Sequence, residues 1–168
     1  MKRHGNLHVL AADTTAAVSL PMRFVVASIV VMATMALLAT ATMGFLAHVK
    51  MSGLESQMSR MDATASILYT GGPGSNLTMG IDIPSGCAVT MGSMPGSEDL
   101  WPHDAKNYYI EYERKYTVRG STAAYSNEAM DGVSFLGPGT HQVFMETTVN
   151  PSTGMLFVRV YELKGRGP

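Results

Sequence analysis

The chain has 168 residues, twelve Lys and Arg against thirteen Asp and Glu, and a mean hydropathy of +0.10. That length allows one ordinary domain, or a small domain with an attachment. Near-neutral charge without a basic cluster excludes a polyanion-binding surface, and no nucleic-acid partner is expected.

Residues 1–19 are polar and rich in small side chains, without periodicity, and read as a flexible N-terminal segment. Pro21 suits the first turn of a helix, where its missing N–H costs nothing. From Phe24 to Val49 there is no Lys, Arg, Asp or Glu. At about 1.5 Å per residue such a helix covers roughly 39 Å, enough to cross a hydrocarbon core of about 30 Å with tilt. A buried core helix apolar on every face needs a larger protein around it. A secretory signal has a shorter apolar stretch, about 7–15 residues. A lipid bilayer is therefore the first expected partner. Lys2, Arg3 and Arg23 before the run, against Lys50 and Arg60 after it, predict a cytoplasmic N-terminus and an extracytoplasmic C-terminal part.

The helix is expected to continue past the apolar run. Leu54, Met58, Met61, Ala65 and Leu68 recur at spacings of four and three, a stripe along one helix face. One helix over 20–69 follows, its first half transmembrane and its second amphipathic. Gly44 and Gly53 are the points where it could bend. The stripe is expected to pack against the downstream domain, with a partner helix as the alternative.

After Gly71-Gly72-Pro73-Gly74-Ser75 the period changes to two. Leu77, Met79, Ile81 and Ile83 alternate with polar residues, and Cys87, Val89 and Met91 do so after the turn Pro84-Ser85-Gly86. These two runs are predicted to pair as a hairpin. A loop over 92–102 precedes one strand carrying Ile110, Tyr112, Arg114, Tyr116 and Val118 on a single face, with Arg114 placing it near an edge. Residues 119–131 read as a loop. Strands are predicted over 132–136, 141–149 and 155–163, the last two joined by the turn residues Asn150 to Gly154. Lys164 to Pro168 reads as a frayed end. The expected fold class is α+β: a long N-terminal helix followed by about six strands in a small antiparallel sheet or sandwich over 70–168.

Little in the chain points to catalysis. Gly71 to Ser75 lacks the Lys-Ser/Thr of a phosphate-binding loop and leads from helix to strand, the reverse of what a phosphate cradle requires. These five residues read as a helix C-terminal cap and a redirection of the chain. The five histidines are scattered; His4 and His8 lie in the N-terminal segment. Glu98, Asp99, His103 and Asp104 have the chemistry to hold a cation, but an acidic loop of this kind is ordinarily just solvated. A grouping of His103, His141 and Glu146 would have to be assembled from distant positions. No catalytic residue, cofactor or metal is expected, and the chain is expected not to be an enzyme. The single cysteine, Cys87, sits in a strand and reads as a small packed residue. Asn76-Leu77-Thr78 is an N-glycosylation acceptor, with Asn76 the possible attachment point. Trp101, Tyr108, Tyr109, Tyr112 and Tyr116 offer aromatic surface that could stack on sugars, although strand aromatics are more often core.

The order of these features resembles archaeal type IV pilin-like membrane proteins. Ala17-Val18-Ser19-Leu20-Pro21 is similar to the family's "AVS-P" before the apolar helix. Gly71 to Ser75 is similar to its "GG-GS", and Ile81-Asp82-Ile83-Pro84 to its "VxVP" strand. The resemblance covers residues 13–92. It implies an extracytoplasmic β domain carried on a membrane-rooted helix, with other pilin-like subunits as partners through that helix. In this chain the apolar run begins nearly twenty residues after Met1-Lys2-Arg3-His4-Gly5. The expectation is thus a permanently anchored, pilin-like surface protein, a structural or minor component of an appendage or envelope complex. The alternative is a membrane-tethered binding module for a glycan, a cation or a protein.

Overall fold

A computed structural model describes residues 14–163, with side chains from residue 21 onward except those of Met43 and Ala47. The expectations for residues 1–13, including His4 and His8, and for 164–168 lie outside the described residues. The chain divides into two compact units, Met1–Ala47 and His48–Pro168. One helix, α1 (Thr14–Gly71), enters both and is unbroken through Gly44 and Gly53. It begins before Pro21, which lies inside it and not in its first turn. Thr14 to Leu20 contains no Gly or Pro, so nothing in the sequence stops the helix short of Pro21, whose ring removes one backbone N–H and crowds the carbonyl four residues before it.

The second unit adds eight strands to the end of α1: β1 (Asn76–Ile83), β2 (Cys87–Met91), β3 (Asn107–Tyr112), β4 (Lys115–Gly120), β5 (Tyr125–Ser126), β6 (Ser134–Leu136), β7 (Gly139–Val149) and β8 (Leu156–Glu162). They form two four-stranded sheets, ordered β1-β7-β8-β5 and β4-β3-β2-β6. The fold is α+β, as the change of period near Gly71 predicts. Every strand pairing is antiparallel except that of β5 with β8.

Three elements depart from the sequence reading. β1 and β2 are not a hairpin: β1 pairs with β7 and β2 with β3 and β6, in different sheets. The turn between them explains why. Cys87 N–H donates to Pro84 O at 3.0 Å and only Gly86 has positive φ, at 83°. A turn with positive φ at its second central residue alone splays its flanking strands and does not twist them into a ladder. The run from Ile110 to Val118 is two strands. Glu113 and Arg114 both take positive φ, 48° and 63°, folding β3 onto β4 through a primed turn. Arg114 marks that turn, and β4 is the sheet edge. Residues 119–131 contain β5, with Ala123, Ala124, Tyr125 and Ser126 all buried.

The core of this unit is one cluster built from three sources. Leu54, Met58, Met61 and Ala65 supply the helix face, each fully buried, with Leu68 packed beside them. Ile81, Ile83, Val143, Met145, Val158 and Val160 come from the first sheet. Cys87, Val89, Met91, Tyr108, Ile110 and Leu136 come from the second. The helical stripe and the alternating strand faces thus meet, as amphipathic periodicities require. A smaller cluster holds Ala105, Ala124 and Phe157, with Trp101 tilted against Phe157 at 5.0 Å between ring centroids.

β1 is an edge strand, and Gln57 covers part of its open side. Its side-chain amide accepts from Asp82 N–H at 2.9 Å and donates to Asp82 O at 3.3 Å. A paired edge backbone is a protected one.

Candidate functional site

In the first unit the functional feature is the helix surface itself. From Pro21 onward α1 is long and apolar enough to cross a membrane. Its large side chains are exposed all around, among them Phe24, Val30, Leu37, Leu38 and Phe45. The hydroxyls of this stretch are already satisfied. Ser28 donates to Phe24 O, Thr34 to Val31 O, Thr40 to Leu37 O and Thr42 to Leu38 O, at 2.8–2.9 Å. Such back-bonding leaves no hydroxyl needing water, the condition hydrocarbon imposes.

α1 ends at Gly71 and β1 begins at Asn76, so Gly72 to Ser75 form the link. Gly72 N–H donates to Tyr69 O at 3.4 Å and Gly72 takes φ 86°, a left-handed helix termination. Gly74, with φ 89°, donates to Thr147 O at 2.7 Å, and Thr147 N–H donates to Ser75 O at 2.8 Å. The link is thus stitched to β7. Asn76, the possible glycan acceptor, is exposed and its side-chain amide donates to Gly74 O at 3.3 Å.

A second tie joins α1 to the segment leading into β5. The Tyr125 hydroxyl donates to Asp62 Oδ1 and accepts from Ser121 Oγ at 3.2 Å. Burial foremost, and the Asp62 carboxylate after it, push this phenol far above its ordinary value. Trp101 Nε1 donates to Tyr125 O at 3.1 Å, and Thr122 Oγ1 donates to Ser66 Oγ at 2.6 Å.

The loop carboxylates do not converge. Glu98 Oε1 accepts from the Tyr109 hydroxyl and from Gly96 N–H at 3.1 Å. The Tyr109 bond holds the Glu98 carboxyl below the usual carboxylate range. Among the described residues no three His, Cys, Asp or Glu side chains come together as a metal site. His141 and Glu146 lie on β7 five positions apart, hence on opposite faces. His141 Nε2 donates to Gly137 O at 2.8 Å, and its Nδ1 lies 3.2 Å from Glu162 without hydrogen-bonding alignment. Glu146 pairs with Arg159 at 3.3 Å. Cys87 is buried, which raises its thiol above the ordinary value. Of the aromatic residues, Tyr108 and Tyr109 are buried, Trp101 and Tyr112 partly so, and Tyr116 is half exposed.

One feature escapes the sequence: a cleft of 330 Å³ between residues 52–59 of α1 and the β3–β4 hairpin. Ser52, Glu55, Ser56 and Ser59 line one side, Tyr108 and Arg119 the other, and Met58 and Ile110 the floor. Arg119 and Glu55 face each other at 4.0 Å, both substantially exposed. Tyr108 and Arg119 are register partners, which is why one buried and one charged side chain meet there. The only trace of this in the chain is that Ser52, Ser56 and Ser59 follow the same four–three spacing as the apolar stripe beside them.

Compared with known protein families, with characterised proteins and with solved structures, the chain matches none.

Proposed function

We propose that this chain is a single-pass, pilin-like surface protein that holds a β domain at the outer face of a membrane. It serves as a structural or minor component of an appendage or envelope complex. The observation that carries the reading is the division of labour within one helix. Its charge-free part, from Phe24 to Val49, exposes apolar side chains and keeps its hydroxyls to itself. Its later part, from Leu54 to Leu68, gives the β domain a full side of its core. Water would oppose such an apolar surface at about 25 cal/mol per Å², whereas hydrocarbon accepts it. The cationic residues on the N-terminal side favour that end inside and the β domain outside. The order of apolar helix, Gly71 to Ser75 and first strand supports the pilin-like part of the reading.

Carbonate washing of membranes from cells expressing the full chain tests the anchor. Retention in the pellet is expected, and shifts to the supernatant when Val30 and Leu37 are both replaced by Arg. Recovery of the unaltered chain in the supernatant overturns the proposal. Mechanical shearing of cells then separates its two forms, an appendage subunit leaving with surface filaments and an anchored protein staying with the membrane.

A further inference from the structure

We infer that the cleft between α1 and the β3–β4 hairpin binds a small zwitterion, specifically a free α-amino acid with an aliphatic side chain. Four observations lead there. The cleft has 330 Å³, within the range of small-molecule sites. Its charges cancel: Arg119 would repel a metal cation, and Glu55 would repel a phosphate or another polyanion. Its protic groups surround a floor of Met58 and Ile110, which are fully or almost fully buried.

The fourth observation is Tyr108. Its ring is 4% exposed and stands edge-on to Tyr125 at 6.4 Å, yet its hydroxyl makes no hydrogen bond among the described residues. The charges nearest to it are those of Asp62, Arg119 and Glu55, two of which line the cleft. Among the described residues the buried side-chain polar atoms left without a partner are His141 Nδ1 and Thr147 Oγ1, so the Tyr108 hydroxyl keeps access to the open cleft. It is therefore free to exchange a hydrogen bond with a ligand there.

The spacing of the two charged groups selects the ligand class. Arg119 and Glu55 lie 4.0 Å apart without close hydrogen-bond contact. An α-amino acid carries its ammonium and carboxylate on one carbon atom, so its two opposite charges lie side by side and can be laid against such a pair. Laid against the pair, its carboxylate meets the Arg119 guanidinium and its ammonium meets Glu55. The four charges then alternate around a square, and neither protein group loses its original partner. Arginine suits this because its planar fork accommodates a carboxylate with two parallel hydrogen bonds. The serine hydroxyls and Tyr108 complete the polar contacts, and the aliphatic side chain lies over Met58 and Ile110. A neutral sugar makes no use of the opposed charges.

Isothermal titration calorimetry on the full chain in detergent micelles tests this with leucine, valine, glutamate, lysine and glucose as probes. Saturable binding of leucine or valine is expected, with glutamate, lysine and glucose weaker by about tenfold or more. Arg119→Gln and Glu55→Gln are each expected to weaken leucine binding about tenfold or more, because each removes a charge-assisted contact. Both residues are surface-exposed, so both variants are expected to keep the wild-type unfolding midpoint. Ser56→Phe, which fills the cleft and leaves both charges in place, is expected to abolish binding. Absence of saturable binding by leucine and valine overturns the inference. So does preference for glucose, or leucine binding indifferent to Ser56→Phe and to the charge variants.

Discussion

Replacing Tyr125 by phenylalanine removes one oxygen from a fully buried ring and leaves its packing against Tyr108 intact. What is lost is the hydroxyl's bond to Asp62 and the bond it accepts from Ser121. A hydrogen bond to a charged group contributes about 1.5–3 kcal/mol, so the variant is expected to be less stable by about 2 kcal/mol at neutral pH. The pH dependence makes the expectation sharper. In the folded chain burial and Asp62 keep the phenol protonated well above its ordinary range. In the unfolded chain it ionises near pH 10. The folded state therefore holds the proton more tightly, and this stabilisation is fully present below pH 10 and lost as pH rises above it. The loss is about 1.4 kcal/mol per pH unit, reaching about 2.7 kcal/mol by pH 12. Phenylalanine has no such dependence, so the two proteins are expected to become equally stable near pH 11.5, where the loss equals about 2 kcal/mol. The single tryptophan reports the transition, because Trp101 donates to the Tyr125 carbonyl and packs on Phe157. Urea unfolding of the full chain in micelles, followed by Trp101 fluorescence from pH 7 to 12, is the assay. A variant within about 0.5 kcal/mol of wild type at pH 7 refutes the reasoning, as does a stability difference that stays constant across that range.

Other expectations follow from the same geometry and the same assay. Leu54→Ala, at a fully buried helix position, is expected to cost about 2–5 kcal/mol. Gly74→Val places a branched side chain at φ 89° and is expected to destabilise by about 1–2 kcal/mol or more. Gly53→Ala, helical and with open space around the added carbon, is expected to stabilise by up to about 1 kcal/mol. Glu98 is held below its ordinary range chiefly by Tyr109, so its contribution is present above the unfolded carboxyl value and fades as pH falls through the folded one. Glu98→Gln and wild type are accordingly expected to differ at pH 7 and to converge below about pH 4.

The legible parts of the chain were those where one physical requirement dominates. A charge-free run and a four–three apolar stripe define the two halves of α1 because lipid and core each impose a single rule on every residue. The strands β1, β2, β7 and β8 show the same clarity, since one face of each is buried. β4 and β5 were hidden for opposite reasons. β4 is an edge strand whose turn, Glu113-Arg114, carries none of the usual Gly or Asn. β5 has two residues, and Tyr125 is buried among small and polar neighbours that read as a loop. The pairing of β1 was illegible because a local turn suggested a neighbour that long-range register denies it. The cleft depends on that register too: Tyr108 meets Arg119 across β3 and β4, and both face helix residues about a third of the chain away. No local spacing encodes such a meeting.

In the proposed arrangement the helix anchors the chain and leaves the β domain outside the cell. Cys87 is the only cysteine and is buried, so one exposed cysteine at the β7–β8 turn, Ser152→Cys, becomes a unique reporter. Intact cells expressing this variant are treated with a membrane-impermeant maleimide, beside an equal sample of lysed cells. Equal labelling of Ser152→Cys in both samples, and none of the parent chain, is expected. Labelling that appears only after lysis would contradict that arrangement.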